Sequence, residues 1–126
     1  MSEILFRGKR VDNGEWVYGL LWRVGDTYAN IVDKDTEVIY SVLTKTIGQS
    51  TGMTDKNGNE IFEGDIVKTS HGGSTYYAKI EWDDGSFWVT NHDIQMPSYI
   101  SEVSKTYLEI IGNIHDNPDL LGGDDK

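Results

Sequence analysis

Turn dipeptides recur along this chain at intervals too short for helices. "DNG" stands at Asp12 to Gly14, "VGD" at Val24 to Asp26, "KNG" at Lys56 to Gly58, "HGG" at His71 to Gly73 and "DDG" at Asp83 to Gly85. Asn-Gly and Asp-Gly supply the positive φ angles that tight hairpin turns require. Between these turns apolarity alternates with period two. In "EWVYGLLWR", Trp16, Tyr18, Leu20 and Trp22 fall on one face and Val17, Gly19, Leu21 and Arg23 on the other. In "TYYAKIEW", Tyr76, Ala78, Ile80 and Trp82 alternate with Thr75, Tyr77, Lys79 and Glu81. Both read as half-buried strands. The expected fold class is mainly antiparallel β, with strands at 3–11, 15–23, 27–33, 36–43, 64–70, 75–82, 86–91 and 106–115.

Helix has little room. In "NPDLLG", Asn117 can cap, Pro118 suits the first helical position and Gly122 ends a short turn. A second short helix fits "NHDIQMPSYISEV", where Pro97 interrupts it and a loop fits equally well. The nearest thing to a boundary is "GQSTGMTDKNG", Gly48 to Gly58, a polar connector. It divides an N-terminal hairpin lobe, residues 1–52, from a C-terminal lobe, residues 53–121, with an acidic tail at 122–126.

At 126 residues and 37% apolar content, the two lobes are expected to share one compact body that buries roughly two thirds of the unfolded surface. No window approaches the roughly 18 uninterrupted apolar residues of a membrane span, and "MSEILFRGKRVDNG" has no apolar signal core before its charges. The expectation is a cytoplasmic protein without a membrane partner. The absence of Cys removes disulfides, thiolate metal sites and cysteine nucleophiles. A formal net charge of -10, from 21 acidic and 11 basic residues, repels phosphate backbones and disfavours nucleic acid as a partner. Charge is uneven: Arg7, Lys9, Arg10 and Arg23 lie in the first quarter, whereas "NIHDNPDLLGGDDK" carries four Asp and one Lys.

The stretch that most resembles a site is "TDKNGNEIFEGDIV", Thr54 to Val67. An EF-hand loop wants oxygen ligands at positions 1, 3 and 5, Gly at 6 and Glu at 12. With Asp55 first, Asn57 and Asn59 fit, but Glu60 and Ile66 take positions 6 and 12. With Gly58 at 6, Met53 and Gly64 take positions 1 and 12. No metal is expected. The alternative is mechanical: Asn57-Gly58 turns the chain, Ile61 and Phe62 pack inward, and Glu63-Gly64 makes a second bend that launches "DIV" as a strand from Asp65. "EGDIV" followed by the hairpin "KTSHGGSTYYAKIEW" resembles the opening of small SH3-like barrels, which implies an SH3-like barrel or curled sheet for the C-terminal lobe.

"ILFRGKRVDNGEWVYGLL", "TIGQSTGMTDKNGNEIFEGDIV" and "LEIIGNIHDNPDLL", in that order from Ile4 to Leu121, resemble the three signature blocks of the YopX family. These are small proteins encoded by bacteriophages and prophages, unrelated to the secreted effectors with similar names. The resemblance implies a β-rich phage or prophage protein in the bacterial cytoplasm. It carries over no catalytic or binding residue.

Chemistry is sparse elsewhere. His71 falls in a Gly-rich hairpin loop, His92 at a strand end and His115 before the acidic tail, with no close ligand pair. His92 and Asp93 beside Glu102 form an acid and base set without an activated nucleophile, and "HGGS" lacks a nucleophile elbow. The chain is therefore expected to be noncatalytic, with no cofactor. Aromatics give the strongest binding signal: Tyr76, Tyr77, Trp82, Phe87, Trp88 and Tyr99 fall close together. With Tyr76, Trp82 and Phe87 pointing inward, Tyr77, Trp88 and Tyr99 become the candidate interaction surface. The functional expectation is a phage accessory protein that binds an unknown host or phage protein or associates with itself. The alternatives are a nucleic-acid-associated small-barrel module, which requires Arg7, Lys9, Arg10 and Arg23 on one face, and an acidic DNA mimic that blocks a host nuclease.

Overall fold

The computed structural model describes residues 4–71, 73–83, 85–90, 95–96 and 107–121. The chain divides into two compact units, Met1–Ser50 and Thr51–Lys126.

In the first unit, β1 (Phe6–Lys9), β2 (Trp16–Val24), β3 (Tyr28–Asp33), β4 (Ile39–Leu43) and the start of β5 (Gly48–Thr54) form an antiparallel sheet in the order β4-β3-β2-β1-β5. The turn at Asp12 to Gly14 is closed by the Arg10 N–H on the Glu15 carbonyl at 2.8 Å, and Asn13 Oδ1 accepts the Glu15 N–H at 2.9 Å. Asp33 makes the next turn, its Oδ1 accepting the N–H groups of Asp35 and Thr36 at 2.8 and 2.9 Å. Such side-chain to backbone bonds are why Asp and Asn favour turns. Val17, Ala29, Ile31 and Val42 form the core, with Phe6, Leu21, Tyr40 and Ile47 packed against it. Each fully buried Ile or Val contributes about 1.5–3 kcal/mol relative to an exposed one.

The side of β2 that enters this core is the one with Val17, Gly19 and Leu21; the side with Trp16, Tyr18 and Leu20 faces out. Gly8 and Gly19 explain the choice. A Cβ at Gly8 would stand 2.9 Å from Val42 Cγ2, and one at Gly19 would run into the Val32 carbonyl. At these two positions the inner side has no room for a side chain, although Phe6, Leu21 and Tyr40 pack against the core elsewhere, and the indoles of β2 take the other side. The Arg10 to Val42 bridge and the Val11 N–H on the Ser41 carbonyl, at 3.0 Å, draw the chain after β1 onto the edge of β4. This curls the sheet, yet one bridge is not a ladder and the sheet stays open.

The second unit contains β6 (Glu60–Phe62), β7 (Asp65–His71), β8 (Ser74–Asp83), β9 (Ser86–Thr90), β10 (Gln95–Met96) and β11 (Glu109–Asn113). Five of these form an antiparallel sheet in the order β10-β9-β8-β7-β11. Its inner face carries Val67, Ala78, Ile80 and Val89, which pack with Ile61, Leu108, Met53, Phe87 and Ile110.

Several expectations are corrected. The mainly β class and two antiparallel sheets stand, but the SH3-like barrel does not: among the described residues nothing pairs β10 with β11, so the second sheet is not closed. One edge strand is two residues long, and β7 is already paired on both sides, by β8 and β11. The polar connector from Gly48 is a strand through Thr54. Its buried positions are Gly48 and Ser50, opposite β1, and residues that small give no apolar period to read. Leu121 ends a 3-10 turn, Pro118–Leu121. Asn117 Oδ1 does not cap it but accepts the Asn113 N–H at 3.2 Å. Gln95 and Met96, placed in a short helix or loop, pair with Thr90 and Val89.

Candidate functional site

The oxygen-rich stretch from Thr54 to Val67 closes on its own backbone. The Asp55 N–H donates to the Asn59 carbonyl at 2.8 Å and the Gly58 N–H to the Asp55 carbonyl at 3.0 Å, with Gly58 at φ 85°. Asp55 is 2% exposed. Its Oδ1 accepts the N–H groups of Asn57 and Asn59, and its Oδ2 reaches the Ile110 N–H, each at 2.9 Å. Burial pushes this carboxyl upward, but the N–H groups of Ile110, Asn59 and Asn57 together outweigh it and hold the pKa below the usual value. The carboxylate thus ties the β5–β6 turn to β11, and its oxygens are spent on amides rather than on a cation.

The second bend follows the same logic. Ile61 and Phe62 are both buried, and Asp65 Oδ2 accepts the Phe62 N–H at 2.7 Å. Gly64 sits at φ 92°, donates to the Ile80 carbonyl at 2.8 Å and accepts from the Ile114 N–H at 2.9 Å. A β-branched residue at this φ strains the backbone by about 1–3 kcal/mol. Gly64→Val is therefore expected to lower the thermal midpoint by several degrees; an unchanged melt in a thermal scan would show that the bend tolerates a side chain.

The outer face of the first sheet is of another kind. Register sets Leu20, Val32 and Ile39 in one row across β2, β3 and β4, with Arg23, Asn30 and Ser41 in the next and Tyr28 and Leu43 beyond. Asn30 Nδ2 donates to Ser41 Oγ at 3.4 Å within the middle row. A bulge between Leu21 and Arg23 inserts Trp22 and lets Arg23 rejoin this face. Leu20 is 41% exposed, Trp22 55%, Tyr28 57% and Ile39 48%. The Arg23 guanidinium lies over the Trp22 ring at 5.1 Å. Further along the same side Arg7 and Lys9 lie over Trp16 at 4.7 and 5.7 Å, Arg7 being buried. No outward position of these strands holds Asp or Glu.

The outer face of the second sheet bears the residues that the sequence singled out. Tyr77, opposite Lys68, is 43% exposed, while Trp88, opposite Glu81, is half-buried with its Nε1–H on the Asp83 carbonyl at 2.8 Å. Tyr99 lies outside the described residues. The charges between them are paired: Glu109 with Lys56 and Lys68 at 3.7 and 3.9 Å, and Lys79 with Glu81 at 3.9 Å. Tyr76 and Phe87 point to the inner side. Trp82 does too but is 49% exposed, because it stands at the end of β8 beyond the core, edge-on to Phe87 at 4.7 Å.

Comparison with known proteins follows this geometry. The YopX family profile, described as YopX protein, matches residues 5–122. The chain belongs to the YopX family. No curated protein matches it. A solved structure, protein EF1440 from Enterococcus faecalis, is similar, with 26% sequence identity, a TM-score of 0.61, and coverage of 96% of this chain and 99% of that one.

Among the described residues of this YopX family member, no three His, Asp and Glu side chains converge as metal ligands, and no helix is long and apolar enough to cross a membrane. His92, Asp93 and Glu102, and the side chain of His71, lie outside the described residues. The His115 N–H donates to Asn113 Oδ1 at 2.9 Å within an Asx turn. Sequence reasoning missed Leu20, Tyr28 and Ile39 as surface residues. The alternation of Trp16, Tyr18, Leu20 and Trp22 was legible, but which side meets water depends on Gly8 and Gly19, and the row joining Leu20 to Ile39 exists only once three strands are in register.

Proposed function

We propose that this YopX family member is a noncatalytic accessory protein of phage or prophage origin that works in the bacterial cytoplasm by binding another protein. The observation that carries this reading is the exposed outer face of β2, β3 and β4, where Leu20 and Ile39 share one row, Tyr28 stands two rows on, and Trp22 is inserted at the bulge. Trp, Tyr and Arg are the residue types enriched at binding hot spots, because they bury large area at small entropic cost. An exposed apolar patch on a soluble chain marks a contact surface more often than it marks nothing.

The nucleic-acid reading draws on the same side but is weaker. Of the four basic residues it needs, Arg7 is 5% exposed, and Arg10 turns away to stack on Tyr40 at 4.4 Å and pair with Asp12 at 2.7 Å. The DNA-mimic reading needs an uninterrupted acidic face. Residues 51–126 hold 14 of the 21 acidic residues, yet Glu81 and Glu109 on the second sheet's outer face are paired with lysines.

A photo-crosslinking amino acid placed at Leu20 or Ile39, in host cells carrying the phage or prophage, tests the protein-binding reading. Discrete protein adducts are expected from those positions and not from Thr75 on the second sheet. Equal labelling from all three, or none from Leu20 and Ile39, would sink it.

A further inference from the structure

The open face of β2, β3 and β4 has a sign as well as an apolar row. Arg23 is its only exposed charge among the described residues, and its contact there is the Trp22 ring, with no carboxylate partner. A guanidinium lying on an indole keeps its N–H fork free at the edge, already oriented for two oxygen acceptors. That a chain with 21 acidic residues places none at an outward position of β2, β3 or β4 is a charge pattern that admits an anionic partner.

We infer that the partner of this face is an acidic protein segment, one that lays bulky apolar side chains along Leu20, Val32 and Ile39 and sets a carboxylate on Arg23. The inference rests on the protein-binding reading proposed above. Charge decides against a second copy of this chain, because two such faces brought together bring cation to cation. Chemistry decides against a nucleic acid. The row of Leu20, Val32 and Ile39 is aliphatic, Tyr28 is a single ring two rows away, and the indoles of Trp16 and Trp22 already carry the chain's own cations, so no run of free rings is offered to successive bases.

The test uses the full chain and two extended peptides, one alternating Glu with Leu and Phe and one with Lys in place of Glu, together with an oligothymidylate strand. Binding is read by backbone amide shifts in NMR titration. The Glu peptide is expected to shift residues of β2, β3 and β4 and to weaken roughly tenfold with Arg23→Glu and again with Ile39→Ser. The Lys peptide is expected not to bind. Both substitutions are at exposed positions, and unchanged amide spectra of the free variants verify that they fold. A Glu peptide that fails to bind, or binds Arg23→Glu equally well, overturns the inference. So does tighter, Arg23-dependent binding of the oligothymidylate, or a dimer in sedimentation that Ile39→Ser dissolves. Protein adducts from Leu20 with no binding of the Glu peptide would leave the protein-binding reading standing and remove only the acidic partner.

Discussion

Asp55→Ala is expected to melt roughly 10 °C below the unsubstituted protein, a loss of about 2–4 kcal/mol. The carboxylate is 2% exposed and accepts three backbone N–H groups from two separate segments, the turn at Asn57 to Asn59 and β11 at Ile110. Asn57 and Asn59 are exposed and their amides can turn to water. The Ile110 N–H, in a half-buried strand beside Val67, has no such recourse. An orphaned buried donor carries its full desolvation penalty, which is why this bond outweighs the other two. Asp55→Asn keeps one acceptor oxygen and is expected to fall between the two. The pH dependence has a definite sign. A carboxyl whose folded pKa is depressed stabilises the fold above its unfolded pKa, about 4, and that contribution is lost as pH falls through the lower folded value. Denaturant unfolding of the unsubstituted protein from pH 6 downward is expected to show stability declining below about pH 4. In Asp55→Asn the decline should be shallower but not absent, since Asp33 is also held low, by the Thr36 and Asp35 N–H groups. Equal acid sensitivity in the two proteins would show that Asp55 is not the titrating group.

The second large effect belongs to Gly19. Gly19→Ala is expected to lose about 4 kcal/mol or more and to leave the first unit unfolded or partly unfolded. A Cβ there would overlap the Val32 carbonyl oxygen, with the Val32 carbonyl carbon at 2.8 Å and the Lys34 N at 3.0 Å. All three atoms are backbone, so no rotamer change relieves the collision. β3 would have to part from β2, breaking the pairing of Gly19 with Asp33 and the Lys34 N–H bond to the Tyr18 carbonyl, 2.9 Å long. Close backbone approach is one of the few reasons for Gly inside a strand. Ser41→Ala, an exposed change on β4 of the same sheet, is the matched control and should be near neutral. Amide spectra that keep the β2 and β3 resonances of Gly19→Ala in place would show that the register between these strands is wrong.

Gly19 and Asp55 also show where reading the sequence stops. Alternation around Gly19 identified the strand correctly, because period two survives whatever the strand packs on. It gave no sign of the Val32 carbonyl, which arrives from another strand. For Asp55 the turn residues around Gly58 were legible, since Asn-Gly has a local conformational preference. Its bond to Ile110 spans 55 residues, and nothing local encodes that. β5 fell silent for a third reason: Gly48 and Ser50 are buried because they are small, and the hydrophobic period used to find strands records only large buried residues. The candidate surface was legible in kind and not in place. Exposed aromatics were expected, at Tyr77 and Trp88, and those lie on the outer face of the second sheet among paired charges. Another exposed group among the described residues is on the first sheet, where the close approaches at Gly8 and Gly19 leave Trp16 and Leu20 to the outer side and a bulge inserts Trp22.

The single extra residue in β2 changes how this strand can vary. Before the bulge the outward positions are even-numbered, Trp16, Tyr18 and Leu20, and after it Arg23 takes the outward side at an odd number. The strand therefore switches parity midway. A relative that lost Trp22 would keep the arginine outward, because Leu20, Leu21 and the arginine would then alternate without a break and the arginine would still stand opposite Asn30. What the insertion adds is the indole: loss of the extra residue should remove the ring beneath the guanidinium and leave the arginine outward, whereas pairing all of β2 without the bulge would turn the arginine toward the side lined by Ala29 and Ile31.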